Sequence, residues 1–115
     1  MNEAKKNRPV RETKLMSDEI RERLPALYAT DGQKDPIVQV KFFSTFSSWT
    51  WYAIEFDGDD TFFGLVYGHE AELGYFSLSE LESGARSPIQ IERDLYFRSK
   101  PLSEVRRLHE RNGAA

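Results

Sequence analysis

Between residues 37 and 76 the apolar positions recur every second residue or cluster in short runs, the habit of β-strands; towards both ends they recur at intervals of three and four, the habit of helices. The first strand-like run is Ile37–Phe43, with Val38, Val40 and Phe42 on one face and Gln39 and Lys41 on the other. Trp49–Phe56 is the second, Thr61–Tyr67 the third and Leu73–Phe76 the fourth. Their connections are short and rich in turn residues, Asp57-Gly58-Asp59-Asp60 among them, which predicts antiparallel neighbours in a meander. Ile89–Phe97 reads as a fifth, edge-like strand.

Helix signals flank this block. Ser17 is placed to cap a short helix with Asp18 and Glu19 in its first turn, where negative charge suits the helix dipole. Leu15, Ile20, Leu24 and Leu27 supply its stripe, and Pro25 bends or stops it at Leu24. Residues 30–36 (TDGQKDP) form a loop. Ser77-Leu78-Ser79-Glu80 matches a capping box, so a helix begins after Ser77, with Gly84 at its end; Ser87–Pro88 opens another loop. Pro101-Leu102-Ser103-Glu104 opens a last helix, with Leu102, Val105 and Leu108 on one face and Gly113 beyond it. The expected fold is a single α+β domain over 15–105, in which a four- or five-stranded, mainly antiparallel sheet packs against two or three short helices. Residues 1–14 read as a disordered basic tail, and 106–115 as the end of the last helix and a tail.

Composition narrows the function classes. The 115 residues suffice for one core and are too few for two domains. Without cysteine there are no disulfides, thiolate zinc sites or cysteine nucleophiles, and the cytoplasm is the expected compartment. The basic start has no apolar run behind it, so no signal peptide is expected, and no stretch approaches the ~20 apolar residues of a membrane span. The net charge of −3 is divided unevenly: residues 1–14 and 98–115 carry +3 each, and residues 15–97 carry −9. An acidic body disfavours a broad phosphate-binding surface, while the basic ends keep nucleic acid in view.

The strings Leu24-Pro25-Ala26-Leu27-Tyr28, Val40-Lys41-Phe42-Phe43, Trp49-Thr50-Trp51-Tyr52, Asp60-Thr61-Phe62-Phe63-Gly64-Leu65-Val66, Glu72-Leu73-Gly74-Tyr75-Phe76-Ser77 and Ile91-Glu92-Arg93-Asp94-Leu95-Tyr96-Phe97 together resemble the domain-of-unknown-function 2958 family. The resemblance spans roughly residues 15–105. It implies a small stand-alone bacterial protein of plasmids and integrative elements, and it carries no catalytic residue with it.

Several groups of residues could bear chemistry. Glu55, Asp57, Asp59 and Asp60 fall within six positions around Gly58. Such carboxylates bind Mg²⁺ or Ca²⁺ through oxygen and can support phosphodiester cleavage, with Glu70 as a further ligand. The same Asp-Gly-Asp-Asp string is ordinary turn chemistry, the preferred reading. Alternation puts Trp49, Trp51, Ala53 and Glu55 on one face of their strand, with Ile54 and Phe56 as the core-facing set on the other. Two tryptophans beside a Lys41–Glu55 pair would form a platform for bases or a peptide, or else the seat of a covering helix; the covering helix is preferred. His69, in the hairpin Tyr67-Gly68-His69-Glu70, could act as a general acid or base, although a lone loop histidine is ordinarily solvated. Arg98, Lys100, Arg106 and Arg107 form the basic patch. Ser77, Ser79 and Ser103 read as caps, and there is no nucleophile elbow, phosphate loop or dinucleotide fingerprint.

These readings favour a non-catalytic binding module for nucleic acid or protein, acting through the tryptophan face or the basic segment, with no cofactor. A metal-dependent enzyme acting on nucleic acid through Glu55, Asp57, Asp60 and Glu70 is one alternative. An acidic inhibitor of a host defence protein is the other.

Overall fold

A computed structural model of the chain describes residues 15–85 and 90–113. The tail 1–14 and the Ser87–Pro88 loop lie outside them, as does Ile89. Helix α1 (Asp18–Arg23) starts where the Ser17 hydroxyl accepts the Ile20 amide, and stops at Leu24, whose extended ψ of 125° is what a following proline demands. The strands are β1 (Ile37–Val38), β2 (Val40–Ser44), β3 (Thr50–Phe56), β4 (Thr61–Tyr67), β5 (Ala71–Ser77), β6 (Ile91–Arg93) and β7 (Lys100–Pro101). Helix α2 (Leu78–Ala85) follows β5 directly, and α3 (Leu102–Asn112) closes at Gly113 in the left-handed region.

Both later helices borrow caps from distant loops. Asp60 accepts the amide and hydroxyl of Ser79 in α2, while Ser77 accepts the Glu80 amide. Asp35 does the same for the amide and hydroxyl of Ser103 in α3, at 2.8 and 2.7 Å. These contacts hold the Asp35 carboxyl below the usual carboxylate range, the Ser103 hydroxyl contributing most. A carboxylate on the exposed amides of a first helical turn satisfies orphan donors and the dipole together.

The main sheet has five strands in the order β5-β4-β3-β2-β6, every neighbour antiparallel; β1 and β7 pair in a separate two-stranded ladder. Helices cover both faces. On the first, Leu15, Met16, Ile20 and Leu24 from α1 and its approach, with Leu78 and Leu81 of α2, pack on Val40, Phe42, Ala53, Phe56, Phe62 and Ile91. Phe62 is central, stacked on Phe56 and Phe76 at 4.4 and 5.1 Å and edge-on to Phe42 at 5.5 Å. On the second face, Leu102 and Val105 of α3 close over Tyr52, Ile54 and Leu65, with Val38 alongside.

Three expectations need correcting. The run Ile37–Phe43 is two strands broken at Gln39, so Val38 joins the second core while Val40 and Phe42 join the first. Pairing shifts by one residue between Ala53 and Glu55, a β-bulge that reverses the alternation beyond it. Ile54 therefore packs under α3 and Phe56 on the opposite face, not together. Gly64 lies opposite the bulge, where any side chain would run into the Tyr52 carbonyl. Finally, the fifth strand is only Ile91–Arg93; the chain turns at Asp94, whose carboxylate accepts the Tyr96 amide.

Candidate functional site

Ala53 sits deep in the first core, but the start of β3, which Trp49 immediately precedes, runs out from under it. Trp49 and Trp51 are both half-buried there, their rings 5.9 Å apart and tilted by 36°. Trp51 packs against the first core along its edge. The outer end of the Trp49 ring lies against Gly68 in the β4–β5 turn; a Cβ at Gly68 would stand 2.5 Å from the ring. Next in the turn, His69 meets Trp49 edge-on at 5.5 Å. Trp51, Val66 and Glu72 form one row across three strands on this face. Between the row and the turn lies a hollow of about 260 Å³ bordered by Trp49, Val66, His69, Glu70 and Glu72. Neither glutamate meets an ion partner among the described residues.

The other acids predicted to cluster do separate jobs. Glu55 is 2% exposed and accepts the amides of Tyr28 and Thr30, at 2.8 and 2.9 Å, and the Thr30 hydroxyl. It holds a turn in which Tyr28 takes the left-handed backbone (φ 71°) uncommon for a bulky residue. Burial pushes the Glu55 carboxyl up, yet these hydrogen bonds outweigh it and leave it below the usual range. Asp57 accepts three amides, from Asp59, Asp60 and Thr61, in a closed turn. Burial opposed by those amides again leaves a lowered carboxyl. With Asp60 on α2 and Glu70 in the tryptophan hollow, Glu55, Asp57, Asp60 and Glu70 do not converge. Among the described residues no group of three or more His, Cys, Asp or Glu is arranged to hold a metal ion.

Lys41, expected beside Glu55, instead meets Asp94 at 3.5 Å on the second face, with its side chain 7% exposed. Its ammonium stands about 6 Å from the Phe43 and Tyr52 rings. Here lies a cluster the sequence reading passed over. The Tyr52 hydroxyl shares a hydrogen bond of 2.7 Å with Nδ1 of His109 in α3. The Tyr67 ring stacks on that imidazole at 3.7 Å, and its hydroxyl reaches Glu110 at 3.3 Å. Burial, and after it the Lys41 charge, lowers the His109 pKa against a smaller opposing effect of Glu110. A tyrosine on a neutral imidazole can share a proton, but Tyr52 is fully buried and gives a substrate no approach. The signal was available: Leu102, Val105 and His109 are spaced by three and four, which puts the histidine on the apolar stripe of its helix.

The basic patch is spread over three elements. Arg98 is exposed in the loop before β7, and the Lys100 ammonium sits 4.3 Å over the Phe97 ring. Arg106 lies by Tyr67, and Arg107 pairs with Glu104 at 2.9 Å.

A two-faced antiparallel sheet with an aromatic hollow at one end thus defines the molecule's class. The chain belongs to the family described as "Protein of unknown function (DUF2958)", which matches residues 15–115, both cores and all of α3 included. That match runs ten residues beyond the boundary expected at 105. No curated protein and no solved structure matches the chain. Among the described residues no helix is long and apolar enough to cross a membrane.

Proposed function

We propose that this protein is a non-catalytic binding module, serving a mobile genetic element in the cytoplasm, that holds a protein partner on the tryptophan end of its sheet. The observation that carries the reading is the half-buried Trp49–Trp51 pair beside a 260 Å³ hollow. Tryptophans dominate the energetics of protein interfaces, because one side chain offers a large apolar area and little entropy to lose. The remaining groups of chemical promise have structural partners: Glu55 a turn, Asp57 its own loop, Asp60 a helix start, and His109 a buried tyrosine. That division counts against the metal-dependent enzyme.

Nucleic acid is the less favoured partner. Glu104 already answers Arg107, and Glu70 and Glu72 border the hollow, where phosphates would be repelled. The acidic inhibitor is a special case of the reading, with a basic, DNA-binding protein as the partner. The test is co-purification from the native cells of the tagged protein and its Trp49→Ala variant, matched for folding by circular dichroism. A protein recovered with the first and lost with the second is the expected result. Recovery of DNA or RNA in its place, or indifference to Trp49, would remove the reading.

A further inference from the structure

We infer that the group of the partner seated in the tryptophan hollow is a cationic side chain, specifically an arginine guanidinium. The inference rests on the docking reading above and adds the chemistry of the occupant. Three observations converge on it. The hollow, at about 260 Å³, is below the size of pockets that enclose a drug-sized ligand, and it suits a single side chain. Its wall is the indole of Trp49, backed by Trp51 at 5.9 Å. An indole face is the best aromatic partner for a cation, and the planar guanidinium stacks on it where an ammonium cannot. The third observation is charge. Glu72 lies on the same face and in the same cross-strand row as Trp51, one strand beyond Val66, and Glu70 borders the same hollow from the turn. Both are exposed and neither is answered by a cation among the described residues, while Lys41, Arg107 and Lys100 are all engaged elsewhere. Two unanswered carboxylates around an aromatic wall repel a phosphate and attract a cation; the guanidinium can lie on the ring and donate to a carboxylate at once.

Gly68 makes the wall possible. With no side chain there, the outer end of the Trp49 ring comes up against the turn, with the His69 ring roughly perpendicular to it at 5.5 Å, and the indole borders the hollow. The same turn thus sets the aromatic surface and the Glu70 carboxylate in a fixed relation.

The experiment titrates the full chain with a capped nonapeptide of alternating glycine and arginine, followed by tryptophan emission. The comparison probe is the same peptide with citrulline in place of arginine, which keeps shape and hydrogen bonding and removes the charge. A ten-residue oligothymidylate is the third probe. The arginine peptide should bind about tenfold more tightly than its citrulline twin, the scale of a partly desolvated cation–aromatic contact. The Glu70→Gln/Glu72→Gln double variant, whose changes touch no core residue, should lose that preference and its salt dependence while keeping its emission spectrum. Equal affinity for the two peptides, or silence toward both, overturns the arginine assignment. A response to oligothymidylate equal to or greater than that to the arginine peptide overturns it in favour of a nucleic-acid surface. The two readings fail separately: a partner protein that still depends on Trp49 while arginine and citrulline peptides bind alike sinks the cation and leaves the docking surface standing.

Discussion

On the face of the sheet under α1 and α2, the core is an apolar cluster: Phe62 and eleven other buried hydrophobic side chains. On the face under α3, the centre is a phenol bonded to an imidazole, with the buried Lys41 close by, paired with a part-exposed Asp94. One backbone carries both, and β3 feeds each with alternate residues until its bulge exchanges them. The first core is held by apolar packing. The second has a hydrogen bond to make and favours one position and one rotation of α3, because a displaced His109 would break its 2.7 Å bond to the buried Tyr52 hydroxyl. Apolar burial gives the fold most of its stability, and the polar pair gives the last helix its register.

The largest effect should come from the apolar side. Phe62→Ala removes a fully buried ring with three aromatic neighbours, and should cost about 3–5 kcal/mol in urea unfolding, by the same amount at pH 8 as at pH 5.5. A loss under 1 kcal/mol would mean that the first core is not the main support.

Next comes Glu55→Gln, which weakens three hydrogen bonds at a buried site and should cost about 1–3 kcal/mol at pH 7. Its folded carboxyl lies below the usual value of about 4.3, so its contribution is present above that pH and is lost as pH falls through the folded pKa. Stability curves of the parent chain and the variant should therefore converge in acid. Curves that stay parallel would show that the charge of Glu55 is not what holds the Tyr28 turn.

The polar core gives a smaller and differently placed effect. His109 is a base with a lowered pKa, so the unfolded chain takes up its proton first, near pH 6.5. Stability should be full above that pH and fall as the pH drops below it. The groups facing the imidazole are Tyr52 and Tyr67 from the sheet, Lys41 from β2 and Glu110 from α3 itself. Tyr52→Phe should cost about 1 kcal/mol and His109→Phe should flatten the slope around pH 6. An unchanged slope in His109→Phe would break the contrast between the two faces.

The smallest effect is local. Gly68→Ala should displace the Trp49 ring and raise acrylamide quenching of its fluorescence, with the melting temperature nearly unmoved. Quenching identical to the parent chain would show that Trp49 does not depend on that glycine.

Much of this was legible in the sequence because it depends on local chemistry. Ser17 and Ser77 cap the helices expected of them, Pro25 ends α1 and Gly113 ends α3. The run β2-β3-β4-β5 followed from short turns, whereas the pairing of β6 with β2 did not. What escaped reading was set by non-local geometry. A bulge has no strong sequence mark, so Ile54 and Phe56 looked like one face. Two-residue strands such as β1 and β7 are too short to show a period, and they exist because Ile37 meets Pro101 and Val38 meets Lys100 from far along the chain. For the candidate site, the tryptophan pair was visible as residue types. Its border of Glu70 and Glu72 was not, because the row Trp51–Val66–Glu72 exists only once three strands are in register.

The division of the sheet between early and late helices also sets an order in time. Residues 15–81 contain everything that closes the first face except Ile91, so that core can form while the chain is still growing. The second face must wait: Tyr52, Ile54 and Leu65 stay uncovered until Leu102, Val105 and His109 have been made and the β1–β7 ladder has drawn them in. For the several seconds that about fifty residues of synthesis take, the nascent domain carries a finished strand with one bare aromatic side. That interval, more than the finished fold, is when this protein is open to a chaperone or to another copy of itself.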